Sequence, residues 1–99
     1  LDVDEVIAGD VKLRIIEALS QKGDVKKRFQ EIRQLLADAG IRDFAGVYDL
    51  LYSRVDEYAT GHVSQVILHI AEGQKFDGQV VNKEINMMAT LINILQTIG

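Results

Sequence analysis

The chain has no cysteine, no proline and no excess of positive charge, and each absence removes a class of function. Without thiols it forms no disulfide and holds no thiolate metal site, which agrees with a reducing, cytoplasmic setting. Proline breaks helix interiors by removing a donor and crowding the preceding turn, so a chain without it can be helical almost throughout. Fifteen acidic and 11 basic residues leave a net charge of −4, whereas nucleic-acid-binding domains gather a basic excess on one face. The one basic cluster, Lys26, Lys27 and Arg28, is flanked by Asp24 and Glu31, so direct DNA binding by this chain alone is disfavoured. Apolar runs are only a few residues long, far short of the roughly 20 that span a bilayer. No membrane partner and no signal peptide is expected.

What the chain does have is a normal globular share of apolar residues, 47%, at a length suited to one domain. Disorder is excluded on that composition. It opens on Leu1-Asp2-Val3-Asp4-Glu5 rather than on methionine, as a fragment cut from a longer protein would.

Glycines supply the punctuation that proline does not. The first helix is expected from about Asp10 to Lys22, where Val11, Ile15, Ile16, Ala18 and Leu19 recur at three- and four-residue steps. Gly23 ends it, and Asp24 caps a second helix from Val25 to Ala39 with Phe29, Ile32, Leu35, Leu36 and Ala39 inward. Gly40 closes that one. A third helix starts near Asp43 with Phe44, Val47, Tyr48, Leu51, Val55 and Tyr58 on one stripe. A fourth runs from His62 to Glu72 with Val63, Val66, Ile67 and Ile70 inward, Thr60 as its cap and Gly73 as its stop. Residues 74–78 then read as a turn on the strength of Asp77-Gly78. The last helix, from about Gln79 to Thr97, carries apolar residues around most of its circumference. A helix of that kind is buried on several sides, or meets a partner chain. The expected fold is therefore all-α, about five helices in a compact orthogonal bundle, as a single domain over residues 1–99.

Catalytic signatures are missing. There is no phosphate-binding loop, no Gly-x-Gly-x-x-Gly fingerprint and no nucleophile elbow. His62, His69 and Glu72 fall at helical spacing and could share a face, but solvated histidines are far commoner than ligands and no further ligand cluster accompanies them. Asp2, Asp4, Glu5, Asp56 and Glu57 sit where a polar helix face or a helix start puts acids anyway. Tyr48, Tyr52 and Tyr58, with Phe44, have the spacing of core and core-edge packing rather than of a base-stacking platform, and Met87 with Met88 reads as core filler. No catalytic, cofactor or metal residue is assigned.

Two stretches carry a family resemblance. Gln34-Leu35-Leu36-Ala37-Asp38-Ala39-Gly40-Ile41, followed by Asp43 and the stripe Val47, Leu50, Leu51, is similar to a segment of clamp-loader small subunits of the replication factor C type. Ile70-Ala71-Glu72-Gly73 resembles that family's hydrophobic-x-Glu-Gly helix ending. Asn82-Lys83-Glu84-Ile85-Asn86-Met87-Met88-Ala89-Thr90-Leu91 resembles its Asn-x-Glu-Leu-Gln-Leu-x-Ala-x-Leu last helix. Asn86 stands where cellular members often have glutamine. Residues 74–81 intervene where those members join the two pieces almost directly, which is closer to the T-even-phage form.

The resemblance implies a five-helix collar that holds AAA+ ATPase modules in a ring during DNA replication. The partners it implies are the other clamp-loader subunits, met through the collar, with the sliding clamp and primer–template DNA met by the ATPase modules. ATP and magnesium would belong to those modules, and this chain would hold no cofactor. The residues expected at the subunit interface are Ile85, Met88, Ile92 and Leu95, a second apolar stripe on the last helix. Asn82 and Glu84 are expected to cap and orient that helix. A reading of another class is a free-standing helical adaptor that takes a partner helix in a groove; a third is a small metal-dependent hydrolase built on His62, His69 and Glu72.

Overall fold

A computed structural model describes residues 7–99, which form six helices and no strand among the described residues. They are α1 (Gly9–Ser20), α2 (Val25–Asp38), α3 (Ala45–Ser53), α4 (Val55–Tyr58), α5 (Val63–Asp77) and α6 (Lys83–Ile98). The all-α class follows from the three- and four-residue apolar steps of each segment. A Cα radius of gyration of 12.6 Å matches the roughly 13 Å of a compact chain of this size.

The ends of α2 show how local chemistry places a helix. Asp24 is the N-cap, its side chain accepting from the Lys26 amide at 3.0 Å. At the other end Gly40 takes φ +69°, the left-handed conformation that strains residues with a Cβ. Its amide reaches Ala37 O and the Ile41 amide reaches Leu36 O, each at 3.1 Å. That pair of bonds is a Schellman ending, with Ile41 folded back on the core.

Several expectations give way. The stripe from Phe44 to Tyr58 is not one helix but two, because the backbone at Arg54 leaves helical geometry (φ −112°, ψ 16°). The stripe is still buried, with Tyr58 Oη donating to Leu51 O at 2.7 Å across the break. Thr60 caps nothing; it donates to Asp56 O, and the residue before α5 is His62. Gly73 does not stop the fourth helix. That helix runs on through residues 74–77 to Asp77, with Gly78 after it.

The core gathers residues from every helix, among them Ile15 and Leu19, Ile32 and Leu36, Val47, Tyr48 and Leu51, Val66 and Ile70, and Met87, Leu91, Ile94 and Leu95. Ala39, expected inward, is exposed, while Phe29 and Leu35 lie half-buried against the core. Val80 and Val81 precede α6 instead of belonging to it, and Val81 stands fully in solvent.

Arg28 is not part of a surface basic patch. It is 3% exposed, and its guanidinium donates to Ala18 O (3.0 Å), Leu19 O (2.7 Å) and Gly99 O (2.7 Å). Those carbonyls lie at the C-terminal ends of α1 and α6, where the helix dipole is negative and carbonyls lack partners. Burial lowers the guanidinium pKa from its usual range, but arginine stays charged in proteins. One side chain thus ties three helices together.

Candidate functional site

Helices α5 and α6 run antiparallel, since His69 meets Thr97, Gly73 meets Asn86 and Asp77 meets Lys83. Gly73 permits the approach. A Cβ there would come within 2.7 Å of Tyr48 Cε1 and would collide with Thr90 Oγ1. In the space left open, Asn86 Nδ2 donates to Gly73 O (2.9 Å) and to Tyr48 Oη (3.0 Å), and Thr90 Oγ1 donates to Asn86 O (3.0 Å). This small polar network joins α3, α5 and α6 inside an otherwise apolar core, and satisfied buried groups of this kind fix one packing arrangement. Burial raises the pKa of Tyr48, against the opposing hydrogen bonds with Thr90 and Asn86. A phenol held neutral remains available to that network.

The outer side of this hairpin is unusual in charge. Residues 85–99 contain no Asp, Glu, Lys or Arg, although 26% of the whole chain is charged, and residues 63–71 contain none either. The exposed positions in these stretches are Ser64, Gln65, Leu68 and Ala71 on α5, and Ile85, Ala89, Ile92, Asn93 and Gln96 on α6. Leu68 is 68% exposed and Ile85 66% exposed. A solvated helix face normally carries charged side chains, and interface cores are depleted of them. Single exposed apolar residues need no explanation; here several stand together on a face without charge.

The residues expected at the interface divide. Ile85 and Ile92 stand on this outer face, and Met88 lies half-buried against the core. Leu95 is fully buried within the chain itself, packed among the residues of the other helices, so it has no surface to offer a partner. Asn82 is the N-cap of α6, its Oδ1 accepting from the Ile85 amide at 3.1 Å. Glu84 is exposed in the first turn, where an acid complements the positive end of the helix dipole.

A second apolar feature flanks α5 on its α3 side. Tyr52, Ile67, Ile70, Ala71, Gln74 and Asp49 line a groove of about 220 Å³. Tyr52, expected at the core edge, is 59% exposed on its wall.

Among the described residues no group of three His, Asp or Glu side chains is placed to hold a metal ion. His69 Nε2 instead pairs with Thr97 Oγ1 at 2.9 Å. Glu57 pairs with Arg54, which lowers its pKa first through that hydrogen bond. Asp2, Asp4 and Glu5 lie outside the described residues. Among the described residues no helix is long and apolar enough to cross a membrane.

No family model, curated protein or solved structure matches the chain.

The placements that periodicity missed are those of Leu68 and Tyr52 on the surface and of Gly73 and Arg28 in the interior. For Leu68 the available signal was the run without charge, which reads differently from an apolar stripe because it includes the polar outer positions. For Arg28 the signal was its place four residues before Ile32 and eight before Leu36, on the buried stripe.

Proposed function

We propose that this chain is an assembly domain, the collar of a sliding-clamp-loader small subunit, that associates through the charge-free outer face of α5 and α6. The single observation that carries the assembly reading is that face. Fifteen consecutive residues of α6 and its end lack any charge while Ile85 and Ile92 stand exposed among them. The clamp-loader identity rests on the resemblance of residues 70–73 and 82–91 to that family's paired motifs. In this reading the ATPase modules open the clamp and consume ATP, and the collar keeps them together while they change arrangement. Permanent interfaces of this kind are commonly large and hydrophobic.

Sequencing the gene upstream of the Leu1 codon tests the identity. An in-frame phosphate-binding loop, a Walker B acidic motif and a Ser-Arg-Cys motif are expected. A start codon within a few residues of Leu1 would overturn the clamp-loader reading. The α3/α5 groove would then favour the helical adaptor, because such a groove is what an adaptor needs.

A further inference from the structure

We draw no further inference here: the strongest candidate, the apolar groove between α3 and α5 lined by Tyr52, Ile67, Ile70 and Ala71, carries nothing because nothing in the structure shows what covers it.

Discussion

The α1–α2 hairpin and the α5–α6 hairpin are built from similar apolar stripes and face the outside in opposite ways. The first exposes Asp10, Arg14, Glu17, Lys26, Lys27, Glu31, Arg33 and Asp38, charges of both signs interspersed. The second exposes Leu68, Ala71, Ile85, Ala89 and Ile92 over long stretches without any charge. Both bury an inner face in the same core, so burial does not distinguish them. The outer face does. Mixed charge keeps a helix solvated and unattached, and its removal over several turns leaves a surface whose free energy falls when another chain covers it.

The largest expected effect is at the joint between the two hairpins. Arg28→Ala strands the buried carbonyls of Ala18 and Leu19 and leaves that of the exposed Gly99 to water, and the unsatisfied acceptors together with lost packing are expected to cost about 4 kcal/mol. Urea unfolding measures it. A loss under about 1 kcal/mol would mean that water replaces the guanidinium at the buried carbonyls as well. Arg28→Lys should recover only part of the loss, since an ammonium lacks the planar fork that reaches separate acceptors.

Within the α5–α6 hairpin, Gly73→Ala comes next. The backbone there is ordinary helix, so alanine gains about 1 kcal/mol of propensity. The added Cβ meets Tyr48 and Thr90, and overpacking of this kind outweighs the gain, for a net loss of about 2 kcal/mol. Gly73→Ala/Thr90→Ala removes one of the two obstacles and should return part of the stability in a double-mutant cycle. A stabilised single variant would mean that the hairpin separates more easily than its packing suggests.

These two residues also show what was legible in the chain. The all-α class, the start and end of α2, and the Asn82 cap could be read because each rests on local chemistry: a repeating step, a side-chain acceptor, a glycine. Gly73 was misread because a glycine that ends a helix and a glycine that lets another helix close in look alike in one dimension. The distinction lay in Gln74-Lys75-Phe76-Asp77, which continues the helix, and in Tyr48 and Thr90, which are remote in sequence. Leu95 shares the apolar character of Ile92, and only the placement of α2 and α5 around α6 decides that one is core and the other surface. For the proposed site, periodicity placed an apolar stripe on the last helix, and Ile85 and Ile92 of that stripe are exposed; the α3/α5 groove belongs to two helices at once and has no signature in either.

A smaller effect distinguishes the buried phenols. Burial raises the pKa of Tyr58 and of Tyr48, so folding favours their neutral forms. Their contribution to stability is complete below the ordinary phenol pKa of about 10 and is lost as pH rises toward the raised folded values. Stability at neutral pH should therefore hold to about pH 10 and then fall. Tyr58→Phe should flatten that alkaline fall while losing the bond to Leu51 O. Urea unfolding across the alkaline range checks the slope, and an unchanged slope would show that Tyr58 ionises equally well in the folded chain.

The smallest effect sets one cap from each hairpin against the other. Asp24→Ala and Asn82→Ala each remove a side-chain acceptor from a free helix amide, and each should cost about 1 kcal/mol. The two should part under salt. Asp24 also places a negative charge at the positive end of the α2 dipole, a contribution that ions screen, whereas Asn82 is neutral. Raising salt should thus shrink the Asp24→Ala effect and leave the Asn82→Ala effect unchanged. Assembly should separate them in the other direction. Asn82 holds the first turn of α6, where Ile85 stands, so its loss should weaken association of the chain with itself, and the loss of Asp24 should not. Equal effects of both caps on association would mean that the charged hairpin takes part in the contact, and the contrast between the two faces would no longer locate it.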